Sequence, residues 1–372
     1  MTSTSKANTC LSATTPSNPK WMQARNLVMR FGWNSAAYQI LNTEMELWFT
    51  SDLEGCVGFV RRCGVRVVAG APVCAESRIA QTAVAFEEDA SREGEQVCYF
   101  GAASRLKSVL HSLPSHSFLE IGAQPAWNPA NWQSILNSHR SLRAQLHRSK
   151  NKGIEVDEYE PALAVGNPEL LQCYSEWRSA HAPLTLGFLT KAISLENLSD
   201  RRLFVAEKNC VPVAFLIATP VPDRNGWLIE QIVRGRSAPN GTSELLIDCA
   251  MRAFADSKSE YATLGLAPLS VRAKSTIAKP QLWLRMLFVW TRKHGTRFYN
   301  FEGLDSFKAK FKPDVWEPIY AVANEPRFSA RTLYAIASVF TNEPPFRVAY
   351  RALTGALRQE LRWLLKRRAS LK

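Results

Sequence analysis

Short runs of hydrophobic residues, bounded by polar turns and broken by helical patterns, recur along the chain from about residue 45. In the first part they predict strands at ELWFTS, CVGFVRR, VRVVAGAPV, VCYFGA and SFLEIGA. Between these strands, Ile79, Ala83 and Phe86 stand at helical spacing, and RLKSVLHSL predicts a second helix. This part is therefore expected to mix strands and helices in one packed unit.

A second series of the same kind begins after residue 165. Asn167-Pro168-Glu169 is a good helix start, followed by an apolar stripe that includes Tyr174 and Trp177. Further helices are predicted from about Thr242 to Ala255 and at WLRMLFVWTRKHG. The predicted strands are RLFVAEK, VPVAFLIATP, WLIEQIVR, YATLGLA and TRFYNFEG. Both series run hairpin strands, helix, strand, helix, strand, and this order predicts a duplicated α/β unit.

The segment HRSLRAQLHRSKNKG between the two series is basic and contains no acid. It predicts either a partner-binding connector helix or a solvated one, since a charge run alone does not identify a partner. The expected organisation is a disordered leader at 1–22, a first half at 23–138, the connector at 139–153, a second half at 154–326 and a helical tail at 327–372.

The C-terminal tail carries a large share of the positive charge of the chain. Beyond Pro345, apolar residues at steps of three or four predict an amphipathic helix, and residues 345–372 carry eight basic residues and one acid. This pattern is typical of a helix lying on anionic lipid, although a helix docked on its own domain or bound to tRNA has the same pattern. The basic residues assigned to membrane or tRNA binding are Arg351, Arg358, Arg362, Lys366, Arg367 and Arg368.

Overall composition is that of a globular protein with an unusual charge. The 372 residues are 46% hydrophobic and 21% charged, with a net charge of +13 that favours polyanionic partners such as nucleic acid or a membrane surface. Eight scattered cysteines without CxxC spacing predict no metal site and a reducing cytosol. No apolar run approaches the length of a membrane span, so a cytoplasmic protein, peripheral on the inner face of the membrane, is expected.

The sequence IEQIVRGRSAPNGTSELLID predicts a strand, a turn and a helix N-terminus that suits a phosphate group. Arg234 and Arg236 lie beside that helix start, and Asn240 shapes the turn. Acyl-CoA N-acyltransferases hold pyrophosphate at such a place with paired glycines, which this loop lacks. The alternative is a capped helix with surface arginines.

Several motifs together resemble one family. They are WFTSD, GAQPAWNP, SLRAQLHRSKNKG, APNGTSELLID, LGLAPLS and FYNFEGLDSFKAKFKPDVWEPIY. In this order they are similar to the C-terminal catalytic domain of the aminoacyl-phosphatidylglycerol synthases, the multiple peptide resistance factors, over about residues 25–325. The resemblance implies an α/β fold of tandem acyltransferase-like (GNAT-type) halves joined by a basic helix. It also implies transfer of an amino acid from aminoacyl-tRNA to a lipid hydroxyl through a tunnel, with no cofactor.

The chain departs from the family at two points. It lacks the membrane-embedded flippase of full-length members, and Gln231 stands where the family's strand carries an acid, next to Glu230. The tail is expected to replace the missing membrane tether.

The motif matches imply a set of catalytic candidates. Arg234 and Lys308 are expected to hold phosphate or polarise the ester, and Lys310 could do either. A carboxylate is expected to act as the base or to bind the ammonium group of the aminoacyl moiety; the candidates are Glu230, Glu244 and Glu317. In the helix around FKAKF, Lys308 and Lys312 are expected to share a face, with Lys310 opposite and Lys312 exposed. The substrate-binding candidates are Arg143, Arg148, Lys150, Arg236, Asn240 and Asp305.

The predicted function is a tRNA-dependent aminoacyltransferase that uses phosphatidylglycerol. The alternatives are the same transfer to another acceptor (diacylglycerol, another lipid, a peptide or a metabolite), a CoA-dependent N-acyltransferase, and a binding module that has lost its activity, because fold alone does not decide among them.

Overall fold

The computed structural model describes residues 18–113, 115–181, 188, 195, 198–273, 283, 284, 286 and 300–340. Within these ranges the predicted mixed α/β class is confirmed. The helices are α1 Pro19–Phe31, α2 Ile79–Arg92, α3 Ser104–Leu110, α4 Trp132–Ser138, α5 Arg140–Lys150, α6 Pro168–His181, α7 Thr242–Asp256, α8 Phe301–Ala309 and α9 Ala330–Phe340. The strands are β1 Glu46–Phe49, β2 Gly55–Arg62, β3 Val65–Ala69, β4 Val73–Cys74, β5 Gln96–Ala102, β6 Ser117–Trp127, β7 Ile154–Tyr159, β8 Arg202–Lys208, β9 Val211–Val221, β10 Gly226–Arg234, β11 Tyr261–Thr263, β12 Ala267–Pro268 and β13 Val315–Ala323.

All thirteen strands in the described part of the chain belong to one sheet. Its order is β1-β2-β3-β5-β13-β6-β11-β10-β9-β8-β7, with β4 and β12 beside β2 and β6. Strand β13 from the second half thus lies between β5 and β6 of the first half, antiparallel to both. Strand β6 in turn pairs with β11 of the second half. The two halves therefore share their central strands, and neither has a complete sheet without the other.

Most predicted elements are found where hydrophobic periodicity places them. The strand over RLFVAEK and the helix beginning at Thr242 agree with the prediction, and the basic connector forms α5. Three differences stand out. Helix α1 begins at Pro19, inside the expected leader, where the Asn18 side chain accepts a hydrogen bond from the Lys20 N–H. Strands β7 and β13 were not predicted. The predicted strand TRFYNFEG is wrong at residues 301–303, which open α8.

Helices cover both faces of the sheet. On one face of the second half, α4, α5, α7 and α8 pack around Leu146, Leu246 and Phe311, while Leu170 of α6 packs on the other face. On the first half, α2 and α3 pack around Phe86, and α1 and α9 pack on the opposite face. This arrangement brings α5, α7 and α8 together over the strands that carry the candidate site.

Among the described helices, none is both long and apolar enough to cross a bilayer. The tail residues Arg351, Arg358, Arg362, Lys366, Arg367 and Arg368 lie outside the described residues.

Candidate functional site

Strands β10 and β11 separate shortly after they meet. They pair in parallel only between Gly226–Leu228 and Tyr261–Thr263, and β10 then continues alongside β9 to Arg234. The chain beyond Thr263 turns toward β6, with which β12 pairs. The matching strands of the first half, β3 and β5, stay paired over five residues each. The carboxyl ends of β10 and β11 therefore border a gap, the usual place for a ligand in an α/β sheet.

Lys308 lies at this gap. It belongs to α8, and its Nζ donates hydrogen bonds to the carbonyl oxygens of Gly265 and Leu266, each at 2.8 Å. The residue is only 6% exposed. Burial lowers the pKa of Lys308 to about 7, against the opposing effect of the Asp305 charge.

Asp305, expected to bind substrate, instead anchors α8. Its carboxylate accepts hydrogen bonds from Ser270 Oγ at 2.6 Å and from Arg272 Nε at 2.7 Å. These contacts join the helix to the segment after β12.

The expectation that Lys308 and Lys312 share a face is wrong. Helix α8 ends at Ala309, and Lys312 has a left-handed backbone with φ of 50°. Lys312 is exposed, as expected, whereas Lys308 is buried. The helical spacing fails because the turn at Lys310 ends the helix first.

The N-terminus of α7 is packed by two neighbouring helices. Glu244 in its first turn is 7% exposed, accepts a 2.9 Å hydrogen bond from Gln145 Nε2 of α5 and forms an ion pair with Lys310. Just before the helix, Gly241 has φ of +100°, and a Cβ there would overlap the Ser149 hydroxyl oxygen of α5. The structure thus brings Glu244 and Lys310 together at a helix start that protein groups already fill.

Arg234 holds the loop that leads to α7. Its Nη2 donates to the carbonyl oxygens of Ala238 at 3.0 Å and Pro239 at 3.4 Å. Its Nε is buried and has no hydrogen-bond partner within the described ranges.

The other loop candidates lie at the surface. Arg236 is exposed, and its backbone N–H donates to Glu176 Oε2 at 2.7 Å. Asn240 is exposed too, and its carbonyl oxygen accepts from Lys152 Nζ at 3.1 Å. Neither side chain takes part in the hydrogen-bond networks described for the site.

Glu230 occupies a β-bulge between β10 and β9. Its carboxylate accepts a 2.8 Å hydrogen bond from Gln39 Nε2 and one from Thr219 Oγ1, and it lies 3.9 Å from Arg201 Nε. Gln39 belongs to a short 3-10 helix, Ala37–Leu41, of the first half. Glu230 therefore helps to join the two halves.

Glu317 lies in a second network on β13. It accepts hydrogen bonds from both Nη atoms of Arg224, at 2.6 and 3.0 Å, from Gln124 Nε2 at 3.0 Å and from Tyr261 Oη at 3.1 Å. Burial raises the pKa of Glu317, but Arg224, Gln124 and Tyr261 outweigh it, and the net shift is downward. Arg224 and Tyr261 also line a cleft of about 380 Å³ that opens beside Asp314.

The connector candidates on α5 divide into two kinds. Arg143 Nη1 donates to the Leu136 carbonyl oxygen at 2.6 Å and to that of Asn137, so it caps α4. Arg148 and Lys150 are exposed. They carry the charge that this helix offers to a partner.

The sequence did not reveal Gln39, Gln124, Arg201 or Arg224. Each reaches its carboxylate across a long separation, 191 residues for Gln39 and Glu230, and no local pattern marks such a pair. Within the described part of the chain, no group of three or more His, Cys, Asp and Glu side chains could hold a metal ion.

A known protein family matches most of the chain. The family model for the C-terminal part of phosphatidylglycerol lysyltransferase matches residues 25–323. Among curated proteins, none matches the chain.

Solved structures are similar over most of the chain. The C-terminal domain of a putative lysylphosphatidylglycerol synthetase from Agrobacterium fabrum is 22% identical, with a TM-score of 0.72 over 87% of this chain and 97% of that one. L-PGS from Bacillus licheniformis is 19% identical, with a TM-score of 0.69 over 87% of this chain and 95% of that one. A conserved protein of unknown function from Bacteroides thetaiotaomicron is 13% identical, with a TM-score of 0.53 over 80% of this chain and 91% of that one. These likenesses show a shared fold.

Proposed function

Because the chain belongs to the phosphatidylglycerol lysyltransferase C-terminal family and is therefore an acyltransferase, we propose that it transfers an amino acid from aminoacyl-tRNA to a hydroxyl group of a membrane lipid, with phosphatidylglycerol as acceptor. An aminoacyl ester is already activated, so the reaction requires orientation of two large substrates, movement of one proton and stabilisation of an oxyanion.

The packed N-terminus of α7 is the observation that carries the choice of donor. An acyl-CoA donor needs free backbone N–H groups and positive charge there for its pyrophosphate. Here Gln145 and Ser149 of α5 close on that turn, and Glu244 places a buried carboxylate in it. Gln145, Ser149 and the Glu244–Lys310 ion pair thus fill this turn, which argues against a bound pyrophosphate and coenzyme A and favours a donor that enters elsewhere.

Exposed charge on α5 supports tRNA as that donor. Arg140, Arg148 and Lys150 are exposed, as is Lys152 just after the helix, while Leu142 and Leu146 of α5 are buried. Exposed cations carried by a rigid helix suit a phosphate backbone. The basic tail adds charge that suits either tRNA or anionic lipid.

Arg234 is the proposed oxyanion donor. Its Nε–H, without a hydrogen-bond partner among the described residues, lies at the carboxyl end of β10, and Nη2 is held by two loop carbonyls. A fixed N–H group of a cation stabilises negative charge that develops on the ester oxygen during transfer.

The test uses purified protein, one radiolabelled aminoacyl-tRNA at a time and phosphatidylglycerol vesicles. Label in the organic phase supports the proposal, and replacing the vesicle lipid identifies the acceptor class. Arg234→Lys, which keeps the charge but loses Nε, is expected to slow transfer on the order of 100-fold. Arg62→Lys, at an exposed arginine of the first half, is the matched control. Acyl transfer from acetyl-CoA, with none from any aminoacyl-tRNA, contradicts the proposal.

A further inference from the structure

The proposed reaction must remove a proton from the attacking hydroxyl, yet each candidate carboxylate is already engaged. Glu230 accepts from Gln39 and Thr219, and Glu244 is paired with Lys310. Glu317 receives both Nη groups of Arg224. In each case protein donors, rather than a substrate hydroxyl, occupy the carboxylate oxygens.

Lys308 differs from all three. It is buried beside the gap between β10 and β11, and two backbone carbonyl oxygens fix its amine. Carbonyl acceptors carry no full charge, so they orient the nitrogen without holding it as a cation. They account for two hydrogens of Nζ, and its remaining position can hold either a third hydrogen or a lone pair.

We propose that Lys308 is the proton carrier of the transfer, acting as a neutral amine rather than as the phosphate-binding cation that its residue type suggests. This inference rests on the proposed function. The lowered pKa, about 7, supports it because a base near the working pH is the most effective.

The proton follows a closed path. The acceptor hydroxyl oxygen attacks the ester carbonyl carbon and forms the new C–O bond, while its proton moves to the lone pair of Lys308 Nζ. The tetrahedral oxyanion then collapses and breaks the bond to the ribose oxygen. That oxygen takes the proton from the Lys308 ammonium, which restores the neutral amine. No oxidant, reductant or further reactant is needed.

The charged groups around Lys308 are consistent with this role. Asp305 on α8 is the carboxylate that acts on Lys308, and Arg272 and Ser270, after β12, hold it. On the other packed elements, Glu244 of α7 is paired with Lys310 and Glu317 of β13 with Arg224. Lys308 therefore has no direct ion-pair partner in the described part of the chain.

The activity test compares three variants in single-turnover transfer from aminoacyl-tRNA between about pH 6 and 8.5. The wild-type rate is expected to rise through pH 7. Lys308→Arg, which stays protonated, is expected to lose on the order of 100-fold or more. Lys308→Ala is expected to regain activity with added methylamine, with a pH profile that moves to the pKa of that amine. Lys312→Asn, chosen because asparagine tolerates the left-handed backbone, removes an exposed lysine and is the control.

A second measurement does not depend on activity. In protein labelled with [13Cε]lysine, one resonance is expected to titrate near pH 7 and to be absent from Lys308→Arg. Such a resonance, together with amine rescue, supports the inference. A Lys308 resonance that titrates near pH 10, or Lys308→Arg transfer within about threefold of wild type, overturns it, since a general base contributes far more than that. If wild type transfers no amino acid although the resonance titrates near pH 7, the proposed function fails and takes this catalytic role with it.

Discussion

Gly241, at the start of α7, packs against Ser149 of α5 so closely that no Cβ fits between them. Gly241→Ala is expected to reduce the free energy of unfolding by roughly 2–4 kcal/mol, because it adds left-handed strain and overpacks a helix contact. Urea denaturation followed by circular dichroism measures this destabilisation.

Gly153→Ala is the matched control for that substitution. Gly153 has φ of +74° but nothing within 4 Å of a built Cβ, so only the strain remains, about 1 kcal/mol. Adding Ser149→Ala to Gly241→Ala removes the overlapping hydroxyl and should recover part of the stability. Equal destabilisation by the two single alanine variants would show that the close packing has no energetic weight.

Asp200 predicts a pH dependence of stability. It pairs with Arg25 of α1 and accepts a 2.7 Å hydrogen bond from Tyr38 Oη. Burial raises the pKa of Asp200, but these partners outweigh it and bring it below the ordinary value of 3.8. Its stabilisation is therefore fully present above about pH 4 and is lost as the pH falls through the lowered folded-state value.

Asp200→Asn is accordingly expected to cost about 2–3 kcal/mol at pH 7, with the difference from wild type shrinking below pH 4. The control is Asp52→Asn, which removes an exposed partner of Arg78 and should cost much less. If the free energy of unfolding of Asp200→Asn differs from that of wild type by a constant amount from pH 3 to 7, this linkage is ruled out.

Arg148 and Lys150 predict the salt dependence of tRNA binding. Replacing both by serine should weaken binding and lower the slope of log affinity against log salt by about 2, because each of these cations is expected to neutralise one phosphate group. Filter binding at several salt concentrations gives this slope. The control double variant, Arg62→Ser with Arg92→Ser, removes two exposed charges from the first half and should leave the slope unchanged. If the slope falls equally in both double variants, net charge rather than a site on α5 determines the salt dependence.

The tail predicts membrane attachment. Deletion of residues 346–372, which removes a charge of +7, is expected to weaken sedimentation with phosphatidylglycerol vesicles and to flatten its salt dependence. A full-length variant with the six assigned tail residues changed to glutamine separates charge from length. Unchanged vesicle binding by the deleted chain would refute the tether.

Hydrophobic periodicity predicted most strands because burial of one or both strand faces leaves a mark in the local sequence. It missed β13, since Pro318 and the preceding lysine-rich segment obscure the pattern and the partners of β13 lie some 200 residues earlier in the chain. The motif match located Lys308. Its burial against two backbone carbonyls after β11 is a tertiary contact, and the residue type alone does not distinguish a buried amine from an exposed one. The motif match also located the carboxylates of Glu230 and Glu317. Gln39 and Arg224, which donate hydrogen bonds to them, have no local sequence signal.

The position of β13 also constrains how the protein is made. Residues 46–127 are synthesised well before β13, yet the place between β5 and β6 stays vacant until Val315–Ala323 follow. During that interval two facing strand edges with unpaired N–H and C=O groups are open to any other extended segment. Protection of the nascent first half from mispairing is therefore a requirement of this topology, because β13, the last of the described strands, fills the place between β5 and β6.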